Sequence, residues 1–322
     1  MQKDSEEWAH FSYSFQRIAE NVNEVLQGKT QEVRLALVCL IAEGHLLIED
    51  VPGVGKTMLA KSIARSIDSS FRRIQFTPDL LPTDVTGVNV FNQERGDFEF
   101  KPGAIFANIV LADEINRASP KTQSALLESM EERQVTMDGV TYHLGMPFMV
   151  IATQNPIEHE GTYPLPEAQL DRFMMRLSIG YPSIETEQSI LNTHGVASTL
   201  EDIGPITDAQ AVSAMTLRAR EVYVAPALRR YIVTLAEATR NHPDVYLGAS
   251  PRASIMLLRA SRAFAASEGR DYVIPDDVKA LVLPVMSHRL LLSPEALMTG
   301  RTSPEILADL VQQVPVPLRD RA

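Results

Sequence analysis

The chain has 322 residues, 45% of them apolar, and a formal net charge of −11. That length allows one large domain or two ordinary ones, each with its own core. The acidic balance disfavours passive, sequence-independent adhesion to DNA or anionic membranes, although a local basic channel remains compatible with it. One cysteine, Cys39, lies in the apolar run LALVCLIA and reads as a small core side chain, so no internal disulfide is expected. The opening MQKDSEEWAH is polar and acidic, unlike a signal peptide, and no run reaches 18 apolar residues. The expectation is a soluble cytoplasmic protein with no transmembrane segment.

In chain order, HLLIE (45–49) reads as a strand that passes through DVPGVGKT into the helix KTMLAKSIARSI. FRRIQF (71–76), NIVLAD (108–113), FMVIAT (148–153) and FMMRLSI (173–179) read as further strands, with the helix SPKTQSALLESMEERQ between the second and third of these. Strands alternating with helices predict a parallel sheet covered on both faces. Residues 88–103 and 134–147 read instead as hairpins around glycine-containing turns, inserted into that core. After GYPSIETE the pattern turns helical. Thr207 with Gln210 fits a capping box, and Ser250, Pro251 and Gly269 fit the cap, first position and stop of another helix. Pro275 and Ser303-Pro304 open two more. The boundary falls near residue 184, giving an α/β domain (1–184) and a smaller all-helical domain (185–322).

The strand-loop-helix around residues 50–58 is the setting of a phosphate-cradling loop. Gly53 and Gly55 let backbone N–H groups approach phosphate oxygens at a helix N-terminus, with Val51, Pro52, Val54 and Met58 completing the loop. Lys56 offers a charge to the outer phosphates of ATP, and Thr57 a hydroxyl to Mg²⁺. Asp50 stands where the motif usually opens with glycine. Aspartate tolerates positive φ and Pro52 stiffens the turn, so the departure is compatible with a working loop. NIVLADEINRA then ends a strand on Asp113, which can hold Mg²⁺, and Glu114, which can deprotonate the attacking water. The plain alternative is that Asp113-Glu114 begin the next helix. Asn155, after the fourth core strand, can hydrogen-bond the γ-phosphate or that water, or can simply start a turn before Pro156.

These elements, with LPEAQLDRF and SPR, resemble the AAA+ ATPases and more closely their MoxR family, over residues from about 20 to about 290. The most particular stretches are FTPDLLPTDVTGV, FKPGAIFANIVLADEINRASPKTQSALLESMEERQVT and ATQNPIEHEGTYPLPEAQLDRF. The resemblance places Lys56 and Thr57 in Walker A, Asp113 and Glu114 in Walker B, Asn155 at sensor 1, Arg172 at the arginine finger and Arg252 at sensor 2. It makes the two hairpins a helix-2 insert and a pre-sensor-1 hairpin. It implies a homo-oligomeric ring, taken as a hexamer, that hydrolyses ATP to remodel a protein client or assist cofactor insertion. It further implies a separate partner carrying a von Willebrand factor A domain. The acidic charge and the lack of a Lys/Arg stripe argue against a nucleic-acid partner. A metal-chelatase motor subunit and a nucleotide-gated scaffold with negligible turnover are the rival readings.

A guanidinium set against the γ-phosphate lowers the barrier to transfer. Arg172 could face a neighbouring subunit in this way, or pair with Asp171 or a nearby acid. Arg252, in the first turn of a helix where a cation is mildly unfavourable, needs a ligand or acidic partner, or is a surface arginine. By resemblance it closes the lid over the nucleotide. His10, His45, His143, His159, His194, His242 and His288 show no metal-ligand spacing. ESMEERQ (128–134) reads as a solvated helix end, and Phe91, Phe98 and Phe100 as candidate client contacts on the first hairpin.

Overall fold

The computed structural model describes residues 2–156, 161–194 and 199–316. His159 lies outside these residues. Helices α1 (Gln2–Val25) and α2 (Thr30–Ile41) precede β1 (Leu46–Glu49) and α3 (Lys56–Ser66). There follow β2 (Phe71–Gln75), α4 (Pro82–Thr86), β3 (Gly87–Asn92), β4 (Asp97–Pro102), β5 (Ile109–Asp113), α5 (Pro120–Glu132), β6 (Gln134–Met137), β7 (Val140–His143), β8 (Met149–Gln154), α6 (Glu167–Leu170) and β9 (Met175–Leu177). The remainder is α7 (Ile184–His194), α8 (Thr199–Asp202), α9 (Ala209–Ala219), α10 (Pro226–Arg240), β10 (Val245–Leu247), α11 (Pro251–Ser267), α12 (Pro275–Met286), β11 (Leu291–Leu292), α13 (Pro294–Met298) and α14 (Ser303–Gln313).

All five expected core strands form, and they make one parallel sheet in the order β2-β5-β8-β1-β9. The apolar runs are continuous because both faces are covered, and successive side chains serve opposite faces. Ile109, Leu111, Met149, Ile151, Leu46 and Ile48 join the core under α1–α3, whereas Val110, Ala112, Val150, Ala152 and Leu47 join the core under α5. The fold is the expected α/β architecture with a helical lid, except that the lid is not all helical, since β10 and β11 pair antiparallel within it. Both hairpins form as read, β3 with β4 and β6 with β7. They are fastened to each other. Phe100 stacks on Tyr142 at 3.9 Å between ring centroids, and Asn89 Nδ2 donates to Asp138 at 2.6 Å. Phe100 therefore packs within its own domain, while Phe91 and Phe98 stay exposed, edge to face at 5.4 Å.

Two helix starts differ from the sequence reading by one residue. Asp208, not Thr207, caps α9 by accepting from Ala211 N–H at 2.7 Å. Thr302, rather than Ser303, caps α14 in a reciprocal box with Glu305. Adjacent residues with similar capping chemistry make such one-step shifts natural. Ser250 caps α11 as expected, with Gly269 just beyond its end at φ 73°.

The charged N-terminus hides a long helix that the sequence reading left out. Trp8, Phe11, Phe15, Ile18 and Val22 recur at alternating steps of three and four, so α1 buries one stripe. That stripe packs on α2, α3 and α11 and makes one continuous apolar core from the sheet to the lid. Among the described residues no helix is long and apolar enough to cross a membrane.

His45, just ahead of β1, is buried with both ring nitrogens engaged. Nδ1 accepts from Val150 N–H at 3.0 Å, so the proton sits on Nε2, which lies 3.1 Å from Met130 O. Burial pushes its pKa from 6.5 down to about 4; the bond to Met130 opposes this and nearby Arg133 adds to it. The folded chain refuses a proton that the unfolded chain accepts, so stability falls as pH drops from about 6.5 to about 4. The difference corresponds to about 3 kcal/mol. Urea midpoints across this window should fall less steeply for His45→Gln than for the parent chain; equal slopes would mean that His45 is not a buried neutral residue.

Candidate nucleotide site

In the parallel sheet every carboxyl end lies on one edge, and the loop 50–55 leaves β1 there. Gly53 and Gly55 adopt φ 86° and 99°, conformations that glycine alone reaches freely, and Gly55 is the N-cap of α3. The tip at Pro52 and Gly53 is exposed, while Val54 and Met58 pack onto the apolar core and hold the loop down. Lys56 Nζ donates to Asp50 O at 2.7 Å, closing the loop on itself. Thr57 follows in the first turn of the helix. The result is a concave, open run of backbone N–H groups at a helix N-terminus, which suits phosphate.

The expectation that Asp50 exploits positive φ does not hold, since Asp50 is not among the left-handed residues. Its side chain explains it. Oδ1 accepts from Val51 N–H at 2.9 Å, and Oδ2 from Ser178 Oγ at 3.0 Å and Gly180 N–H at 2.6 Å. Burial pushes the carboxyl pKa up, but the donors from Gly180, Ser178 and Val51 outweigh burial and hold it below the ordinary value. Asp50 thus ties the start of the phosphate loop to the chain leaving β9.

Beside it, β5 ends on Asp113, which is 9% exposed. Thr153 Oγ1 donates to Asp113 Oδ1 at 2.6 Å and accepts from Glu114 N–H at 2.9 Å. Arg73 on β2 caps Oδ2 at 2.6 Å. Glu114 takes a left-handed conformation, φ 56° and ψ 51°, and a short 3₁₀ turn over Ile115–Arg117 separates it from α5. Asp113-Glu114 therefore do not open α5, although Glu114 is the residue from which the 3₁₀ turn starts. A glutamate held at positive φ is strained, as residues at functional sites often are. Its Oε2 accepts from Gln75 Nε2 at 2.8 Å and Arg117 Nη1 at 2.9 Å. Asn155 is buried just after β8, and Gln154 O accepts from Asp50 N–H at 3.2 Å. The edge therefore gathers Lys56, Thr57, Asp113, Glu114 and Asn155. Arg73, Gln75, Arg117 and Thr153 also belong here and were missed, because no motif marks them.

The donor set suits a nucleotide with Mg²⁺. Thr57 and Asp113 supply hard oxygen ligands, and Asp113 already holds a cation, Arg73, against one oxygen.

The two arginines lie elsewhere. Arg172 precedes β9, whose first residue Met175 pairs with Leu46 at the start of β1, so it sits at the amino edge. Four to six residues of strand put this edge about 15 Å from the phosphate loop. Arg172 Nε lies 3.2 Å from Glu131 Oε2 at the end of α5, and Arg252, in the first turn of α11, pairs with Glu131 Oε1. Asp171 is not the partner of Arg172; it binds Arg289 Nε at 2.7 Å and accepts from Ser250 Oγ at 3.0 Å. Both arginines line a cavity of about 730 Å³ whose described lining includes His45 and Met130 but no residue of 50–58. Within this chain Arg252 lies with Glu131 at the amino edge, away from residues 50–58.

Profile comparison matches residues 45–175 to the ATPase family associated with various cellular activities and residues 237–310 to the AAA lid domain. Chaperone MoxR1 of Mycobacterium tuberculosis is 44% identical, across 94% of this chain and 81% of that protein. The chain belongs to the MoxR family of AAA+ ATPases. Protein MoxR of Paracoccus denitrificans is 32% identical across 85% of this chain and 87% of its own. YeaC, an uncharacterised Bacillus subtilis protein, is 49% identical across 95% and 96% respectively. The crystal structure of a candidate ATPase from Cytophaga hutchinsonii superposes with a TM-score of 0.92 at 37% identity, over 98% of this chain and 99% of that one.

Within this MoxR-type fold, restoring glycine at position 50 should harm the loop. Asp50→Gly loses three hydrogen bonds to a largely buried carboxylate and is expected to lower stability by about 2 kcal/mol or more. Urea denaturation checks this, and an equally stable or stabilised variant would contradict the tie to Ser178 and Gly180.

Proposed function

We propose that this MoxR-family chain hydrolyses ATP with Mg²⁺ at sites formed between copies of itself in a ring, and uses the cycle to remodel a protein client. One observation carries the reading: the phosphate groups' candidate ligands occupy the carboxyl edge, while Arg172 and Arg252 occupy the amino edge. No single chain completes a phosphoryl-transfer site, but a head-to-tail neighbour can. The loop N–H groups of 51–56 and Lys56 hold the phosphates. Thr57 and Asp113 would hold Mg²⁺, which would supply charge neutralisation to the phosphates. Glu114 takes a proton from the attacking water as oxygen bonds to the γ-phosphorus and the bridging oxygen leaves with ADP. Asn155 orients that water or the γ-phosphate, and Arg172 and Arg252 of the adjoining copy meet the developing charge. For this step Glu114 must turn from Gln75 and Arg117.

The chaperone name of the Mycobacterium tuberculosis relative supports the client reading. A partner with a von Willebrand factor A domain, a hexameric ring, cytoplasmic location and the division at residue 184 into motor and lid remain parts of this proposal. Phe91 and Phe98, exposed on the first hairpin, offer an apolar contact for the client.

Glu114→Gln should keep nucleotide binding and lose most hydrolysis, and Lys56→Ala should weaken binding itself. A titration showing unchanged affinity for Lys56→Ala would contradict its role. The ring is tested by mixing. Arg172→Ala copies keep a pocket without offering a finger; Glu114→Gln copies have a dead pocket and a good finger. Each alone should be nearly inactive. Equal mixing leaves roughly a quarter of head-to-tail interfaces with both parts intact, so ATPase should return up to about that fraction. If subunit exchange is verified and nothing returns at any ratio, the site is not shared between copies.

A further inference from the structure

The arginine cavity holds more positive charge than the proposed reaction uses. Arg133, Arg172, Arg220, Arg252, Arg259 and Arg262 line it against only two carboxylates, Glu43 and Glu131. Glu43 is taken by Arg133 and Arg220. Glu131 is taken by Arg172 and Arg252, one carboxylate oxygen to each guanidinium. Arg259 and Arg262 pair with no acid among the described residues, and Arg262 Nε is buried without a hydrogen-bond partner. A cavity so charged attracts an anion, and Glu131 already occupies the point where the two arginines from different elements converge.

We propose that Glu131 is an internal substitute for phosphate: it holds Arg172 and Arg252 together while an interface is empty and gives them up when a neighbouring copy presents its nucleotide. This rests on the reading that the two arginines act across the interface. Its chemistry is an exchange of anions at two guanidiniums, with no covalent step. Both arginines and Glu131 are about one-third exposed, so the clamp is solvent-screened and can be displaced, unlike the buried Arg289–Asp171 pair beside it. Glu131 is also placed to respond to its own chain's site. α5 begins six residues after Glu114 and carries Glu131 in its last turn, about 20 Å away along a 13-residue helix. Glu131 is a positioning residue in this scheme, since it acts through the arginines.

The test uses the full chain with Lys56→Ala, which disables the phosphate loop, and inorganic pyrophosphate as probe in titration calorimetry. Removing the internal competitor with Glu131→Gln should tighten pyrophosphate binding roughly fivefold, the scale of one screened ion pair. Glu132→Gln removes the same charge one residue away and should change affinity less than about twofold. Adding Arg172→Ala to Glu131→Gln should abolish most of the gain. In the chain with Lys56 intact, Glu131→Gln should raise kcat/KM for ATP by a similar factor and Glu132→Gln should not, a difference that a merely structural role would not give. Should Glu131→Gln fold poorly, Glu131→Ala carries the same expectation. Unchanged, weaker or undetectable pyrophosphate binding in the Glu131 variants overturns the proposal, as does an equal gain from Glu132→Gln. Because the pyrophosphate measurement needs no ring and no hydrolysis, its failure is separable from failure of the mixing experiment, which reports only on the shared site.

Discussion

Five strands running the same way give the sheet two chemically different edges, and most of the molecule follows from that polarity. Carboxyl ends collect the residues that end or follow strands, so the phosphate loop after β1, Asp113 at the end of β5 and Asn155 after β8 come together without any long connection. Amino ends collect the residues that precede strands, which places His45 and Arg172 side by side beyond the opposite edge. A loop cannot cross a sheet buried on both faces. The separation of phosphate ligands from arginines is thus a property of the strand order and not of any side-chain rotamer, and it is what makes a second copy chemically necessary in the proposed function.

The carboxyl edge also shows how two adjacent acidic groups are kept together. Asp113 and Glu114 are neighbours in sequence, and two bare carboxylates so close would repel each other. Arg73 neutralises the first, Arg117 and Gln75 hold the second, and Thr153 fixes the backbone between them through one hydroxyl that both donates and accepts. Thr153 and Asp113 are buried, whereas the contacts of Glu114 to Gln75 and Arg117 are exposed side-chain pairs, which exchange partners at small energetic cost.

What the sequence made legible was the part built from local patterns. Apolar runs marked the strands, glycine turns marked both hairpins, and Ser250 with Pro251 marked α11, because each signal lies within a few residues. Asp50 reads from the sequence only as a tolerated departure, since its reason, Ser178 and Gly180, lies 128 and 130 residues further along. Glu131 looked like a solvated helix end, and locally it is one; only folding brings Arg172 and Arg252 to it, from 41 and 121 residues away. The stripe Trp8, Phe11, Phe15, Ile18 and Val22 was readable by period, but the acidic opening of the chain drew attention from it. Arg73 and Gln75, on the exposed face of a strand whose motif value is nil, could be found only by register with Asp113.

The same packing limits how Arg252 can move. Its helix α11 is capped at one end by Ser250, whose hydroxyl is bound to Asp171 of the sheet domain. At the other end Ser12 Oγ of α1 donates to Ser267 O at 2.8 Å, and Arg34 of α2 pairs with Glu268. Between these ends the helix packs on α1 and α2 in the apolar core that also lies under β1. Swinging α11 as a rigid lid would have to open that core, and exposing even a few of its large side chains costs about 1.5–3 kcal/mol each. Releasing an exposed arginine from one carboxylate costs on the order of 1 kcal/mol or less. The smaller term wins. In the proposed function Arg252 would therefore reach a neighbour's phosphate by turning its own side chain off Glu131, with α1 and α2 holding the helix beneath it in place.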